Sequence, residues 1–119
     1  MSYMFYENDR FNSELSAWDV SVVTDMRYMF FEADSFNGTL SAWDVSSVTD
    51  MSYMFFEVDR FDDDISKWDI ASVKNMSFMF YYAEVFNVNL CSWKSKFTAC
   101  PTTSSEEWCH FCNSSKFQG

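Results

Sequence analysis

Hydrophobic positions recur along this chain at one fixed spacing: copies begin at Met1, Met26, Met51 and Met76, each 25 residues after the last, with no insertion or deletion between them. The second copy carries its apolar residues at Met26, Met29, Phe30, Phe36, Leu40, Trp43, Val45 and Val48. The third has Met51, Met54, Phe55, Phe61, Ile65, Trp68, Ile70 and Val73 in the same places. A period of this length predicts a solenoid, in which each unit buries its apolar face only against its neighbours. Met26, Met29, Phe30 and Ala33 follow i, i+3, i+4, i+7, the spacing of one helical face. Asp25 and Asp50 stand just before that face, where a carboxylate accepts backbone N–H groups at a helix start. Residues 26–33 and their equivalents are therefore predicted as a short α or 3₁₀ helix. The later run Leu40-Ser41-Ala42-Trp43-Asp44-Val45-Ser46 alternates, with Trp43 and Val45 on one side and Ala42, Asp44 and Ser46 on the other, which predicts a half-buried strand.

Stacking strand on strand, at about 4.8 Å, predicts a parallel sheet on one side and a column of helices on the other. It also predicts interior ladders: Trp18, Trp43, Trp68 and Trp93 in one, Phe11, Phe36, Phe61 and Phe86 in another. Each buried aromatic removes about 150–250 Å² from water, so these columns should dominate stability. Beside the Phe column run Asn12, Asn37, Asp62 and Asn87, expected as a buried ladder that satisfies turn backbone groups, with ordinary exposed turn chemistry the alternative.

The string SSVTDMSYMFFEVDRF, followed by a strand of form LSxWDVS, resembles the BspA-like leucine-rich repeats. These are a 25-residue class of mycoplasma surface lipoproteins, bacterial surface proteins and algal secreted proteins. The resemblance covers residues 1 to 94 and implies an α/β, leucine-rich-repeat-like solenoid of four strand-plus-short-helix units. It also implies a secreted or cell-surface setting and roles that are mostly adhesive, and it brings no catalytic residues. The fourth copy departs after Trp93, reading Lys94-Ser95-Lys96-Phe97, and Pro101 with the polar run Thr102 to Glu107 cannot continue the pattern. Residues 95–119 are accordingly expected to form a Cys-rich C-terminal cap. Its NLCSW, Cys100 and CHFC also resemble the cysteine-bearing tail of algal members.

The composition, 14 Phe, 6 Tyr, 5 Trp and 8 Met against 2 Gly and 1 Pro, is too aromatic for disorder, and no apolar run is long enough to span a bilayer. A formal charge of −10 argues against nucleic acid and anionic membranes. Acidity fits solubility, divalent cations or a basic partner, with solubility the preferred reading. The chain opens inside the repeat pattern at Met1, a column where the other copies also have Met, so it reads as the tail of a longer array. Copy one has no polar cap, and an open end of this kind is expected to aggregate, to be covered, or to receive another molecule.

Candidate chemistry is sparse. The single His110 has no evident nucleophile to serve, and no Gly-rich phosphate loop occurs, so no enzyme activity is expected. Cys91, Cys100, Cys109 and Cys112 are read as disulfides of an oxidising compartment, with Cys91 and Cys100 each bonded to one of the later pair. A zinc site with His110 is the alternative, although the spacing fits no common finger. Asp19, Asp44 and Asp69 are expected to line up on the outer sheet face, ending at Lys94, as a candidate binding row. Like charges so placed repel unless screened or bridged; Ca²⁺ is one bridge, and hydrated or backbone-bonded carboxylates are preferred to it. Glu7, Glu32 and Glu57, with Asp9, Asp34, Asp59 and Glu84, form further acidic columns.

Opposite the buried Met-Phe face, Tyr3, Tyr28, Tyr53 and Phe78 form one aromatic stripe, and Tyr6, Phe31, Phe56 and Tyr81 a second. Uncovered, they make an apolar patch of the kind that marks an interface. Sequons at Asn37, Asn75 and Asn113 are candidate glycosylation sites. The expected function is a secreted or surface structural protein, self-assembling head to tail or adhesive. The alternative is a monomeric module that binds a protein or glycan on its sheet face.

Overall fold

The computed structural model of the protein describes residues 1–88, 90, 92 and 93. Among them there is no α-helix and no extended strand. Regular structure is confined to the parallel bridges Asp25↔Asp50 and Asp50↔Asn75 and a 3₁₀ step at residues 92–93. The expected α/β, leucine-rich-repeat-like solenoid with a parallel sheet is therefore not what folds. The body is compact, with a Cα radius of gyration of 13.3 Å, and is built from turns.

The backbone hydrogen bonds explain the difference. A helix would return the Phe30 N–H to the carbonyl of Met26. Phe30 N–H is instead donated to Met54 O of the next copy at 3.0 Å, as Tyr28 is to Ser52 O and Glu32 to Phe56 O. The same bonds join Tyr3, Phe5 and Glu7 to Arg27, Met29 and Phe31, and Tyr53, Phe55 and Glu57 to Ser77, Met79 and Tyr81. Within copy two the chain closes turn after turn, Met29 N–H to Met26 O, Phe31 to Tyr28, Ala33 to Phe30, Phe36 to Ala33, Trp43 to Leu40 and Val48 to Val45. Tyr28 and Glu32 stand at φ 58° and 55°, as do Tyr3, Glu7, Tyr53, Glu57, Phe78 and Tyr82 in their copies at φ 54–62°. Such a left-handed residue stops a helix and turns its N–H along the stack. It costs about 1–2 kcal/mol for a residue with a Cβ, which the inter-copy hydrogen bonds and ring stacks offset.

The predicted strand fails for a related reason. Residues 41–42 and 46–47 are turns, leaving only a short extended link between them. True parallel pairing survives around residues 24–25, where Thr49 N–H meets Thr24 O and Lys74 N–H meets Thr49 O, each at 2.8 Å.

The core nonetheless contains the residues that the pattern selects. Met26, Met29, Phe30, Ala33, Phe36, Leu40 and Val48 are fully buried, and Trp43 and Val45 nearly so. The Phe11, Phe36, Phe61 and Phe86 rings stack at 5.7, 5.9 and 5.8 Å between centroids. A second column, Phe5, Phe30, Phe55 and Phe80, stacks beside it at 5.4–5.7 Å. Among the described residues the tryptophans do not form a ring-on-ring ladder. Trp43 and Trp68 each tilt against the Phe of their own copy and donate Nε1–H to the preceding copy's Leu15 and Leu40 carbonyls at 2.9 Å. Copy one is more open: Trp18 is 39% exposed and Met4 48%, where Trp43 is 4% and Met29 0%.

Asn12, Asn37, Asp62 and Asn87 are exposed yet structural. The side-chain oxygens of Asn12, Asn37 and Asp62 accept the backbone N–H of the next member, Asn37, Asp62 and Asn87, at 2.9, 3.3 and 3.0 Å. Asp25, Asp50 and Asn75 accept N–H bonds two residues on, from Arg27, Ser52 and Ser77, so they cap turns where helix starts were expected. The proposed cap of 95–119, with Cys91, Cys100, Cys109, Cys112, His110, Lys94 and Asn113, lies outside the described residues.

Candidate functional site

Turn geometry decides what faces outward. Left-handed Tyr3, Tyr28 and Tyr53 donate their N–H groups to the next copy, and position 3 of every copy falls over position 3 of the next. Tyr3, Tyr28, Tyr53 and Phe78 consequently stack face to face at 4.8, 4.7 and 5.1 Å. Tyr6, Phe31, Phe56 and Tyr81 do the same at 4.9, 4.7 and 5.3 Å. The two columns touch through tilted rings, such as Tyr28 against Phe31 at 5.4 Å and Tyr53 against Phe56 at 5.6 Å. The result is one continuous aromatic face. Stacking half-buries its middle, while Tyr3 remains 50% exposed and Tyr6 39%. Burial pushes the phenols of Tyr28 and Tyr6 above their ordinary range, helped by neighbouring Tyr and Glu groups respectively, so both are protonated at neutral pH.

Tyr82 is a residue that pattern reading missed. It is 59% exposed and left-handed at φ 59°, and it lies against Tyr81 with hydroxyls 3.3 Å apart. The 25-residue register could have found it, because Tyr82 falls in the column of Glu7, Glu32 and Glu57 and ends that column with a phenol.

An acidic border runs along this face. Glu32 has its carboxyl pushed up by partial burial and by Glu57 and Glu7 on either side. Asp34 is raised by burial and by Asp59, Asp9 and Glu57. Asp34, Glu57, Asp59, Tyr82 and Glu84 line an open concavity of about 300 Å³.

The Asp19, Asp44 and Asp69 row has a different character. Asp19 accepts both the N–H and the Oγ–H of Ser21, Asp44 does the same with Ser46, and Asp69 accepts the N–H of Ala71. Those serine bonds hold the Asp19 and Asp44 carboxyls below the usual range. They are the backbone-bonded carboxylates of turns, and no sheet lies beneath them. Among the described residues no three His, Cys, Asp or Glu side chains gather as a metal-ligand set. Asp64 and Asp63, not singled out from the pattern, do similar work: Asp64 accepts from Ser66, and Asp63 accepts the Leu40 N–H across copies at 2.7 Å. Asn37 and Asn75 are exposed with their side-chain oxygens engaged by the N–H groups of Asp62 and Ser77.

Among the described residues no helix is long and apolar enough to cross a membrane. Residues 1–116 match the model of a family described as a Mycoplasma protein of unknown function, DUF285. No curated protein and no solved structure matches the chain.

Proposed function

We propose that this chain, which belongs to the DUF285 family, is a non-enzymatic repeat protein of the extracellular space or cell surface. It associates with further copies of itself, or adheres, through its aromatic face. By repeat sequence alone we place it with the BspA-like repeats, whose Met-Phe and Trp-Asp-Val strings it shares. The observation that carries the reading is the continuous double column of stacked rings, open to solvent at Tyr3 and Tyr6. Contiguous apolar surface of this kind is retained in soluble proteins where something covers it. The acidic border supplies a polar rim and disfavours polyanions as partners.

Sedimentation velocity over a wide range of protein concentration tests this. Association is expected in the natural sequence and is expected to weaken in Phe31→Ser and Phe56→Ser, with melting temperatures checking that both variants fold. A monomer at every concentration that also fails to adhere to cell-surface preparations would remove the proposal.

A further inference from the structure

All six tyrosines of the chain, Tyr3, Tyr6, Tyr28, Tyr53, Tyr81 and Tyr82, lie on or beside one face. Their neighbours differ in a way that matters chemically. Tyr6 stacks on Phe31 and Tyr81 on Phe56, neither of which has a hydroxyl to oxidise, while Tyr6 meets Tyr3 and Tyr81 meets Tyr82 at interplanar angles of 48° and 65°. Only Tyr3 on Tyr28 and Tyr28 on Tyr53 place phenol over phenol, with interplanar angles of 6° and 4° and centroids 4.8 and 4.7 Å apart. Tyr53 then meets Phe78, which ends the run. Tyr3 is half exposed, so the column opens to an oxidant in solution.

We propose that Tyr28 is an oxidative coupling site, which a phenol oxidant of the haem peroxidase class, using hydrogen peroxide, joins to Tyr3 or Tyr53 through a carbon–carbon bond. Each of the two phenols gives up one electron and one proton and becomes a phenoxyl radical. The radicals couple at ring carbons ortho to the oxygens, the para carbon being occupied by Cβ. Each new tetrahedral carbon then passes its hydrogen to the adjacent oxygen, restoring both phenols. One peroxide accepts the two electrons and two protons and leaves as two waters, so the protein loses two hydrogens per link.

The stack favours this pair. The unpaired electron of a phenoxyl occupies a π orbital normal to the ring, and near-parallel rings in contact direct those lobes at each other. The partner is already in place, so coupling has the advantage of an intramolecular step. The product ties together two copies that are otherwise joined by hydrogen bonds and packing. It needs only the folded column and is independent of the interface proposed above.

The test treats the folded protein, dilute enough to be monomeric, with a haem peroxidase and a limiting dose of hydrogen peroxide. A dityrosine-fluorescent product is expected at monomer size, two hydrogens lighter, with peptides linked Tyr3 to Tyr28 or Tyr28 to Tyr53. Tyr28→Phe should abolish it and Tyr6→Phe should leave it. Phe78 already stacks in the same column, so a ring without a hydroxyl has a precedent at this register position, and a melting curve confirms that the variant folds. Links mapping to Tyr81 and Tyr82, an identical link pattern in the urea-unfolded chain, or no fluorescent product at monomer size would each overturn the proposal.

Discussion

Trp43 shows how much one side chain does where the described residues form no α-helix and no sheet. Its indole is 4% exposed, lies against Phe30 at 6.4 Å and donates to the Leu15 carbonyl of the copy before. Trp43→Ala removes both the packing and the bond between copies. It is expected to cost about 3–5 kcal/mol in a denaturant melt. Trp18→Ala, at a site 39% exposed, should cost clearly less. Equal effects would mean that the tryptophan column contributes no inter-copy bonding. Glu32 carries the opposite kind of strain. Its φ of 55° suits glycine, and its carboxyl sits between Glu7 and Glu57. Glu32→Gly is expected to exceed Glu32→Ala in stability by about 1 kcal/mol, because both remove the charge and only glycine removes the left-handed penalty. No difference between the two variants would show that the backbone at 32 is unstrained. The composition hides this conformation, since the chain has 2 Gly and fills its left-handed positions with Tyr, Glu and Phe.

At the scale of one copy, the apolar columns were legible and the backbone that presents them was not. Met26, Met29, Phe30 and Ala33 all reach the core, as a helical face predicts, because overlapping i→i+3 turns bring the same positions inward. Spacing alone cannot separate the two. The deciding bonds, such as Phe30 N–H to Met54 O, join residues 24 apart and leave no local mark in the sequence. The Asn12, Asn37, Asp62 and Asn87 column was legible for a related reason: a side chain that bonds the next copy repeats at the full period. The aromatic face was also legible, since it needs only positions 3 and 6 outside, which both a helix and a turn row supply. Far-ultraviolet circular dichroism separates them. The folded protein is expected to lack the double minimum of α-helix while melting cooperatively, and a helical spectrum would refute the turn-built copy.

For the whole molecule, six carboxylates among the described residues fall into two groups that respond oppositely to acid. Glu32 and Asp34, raised by burial and by like charges in their columns, bind protons more tightly folded than unfolded. Their contribution to stability is fully present below the unfolded carboxylate pKa and is lost as pH rises through the higher folded value. Asp19, Asp44 and Asp64, lowered first by serine hydroxyls and then by backbone N–H groups, behave in the reverse sense, as does Glu14, lowered chiefly by the Ser16 N–H. Their contribution is present above the unfolded value and is lost as pH falls through the lower folded one. With ordinary carboxylates near pH 4, stability should rise as pH falls from neutral toward that range, through the raised groups, and then fall below it, through the lowered ones. Thermal melts at constant ionic strength would trace this maximum. Added salt at pH 7 should raise the melting temperature by screening the Glu and Asp columns, and Glu32→Gln should flatten the rise on the neutral side. A melting temperature that falls steadily from pH 7 to 5 would show that the stacked acidic columns are not repelling one another, and the border of the aromatic face would then need a different electrostatic account.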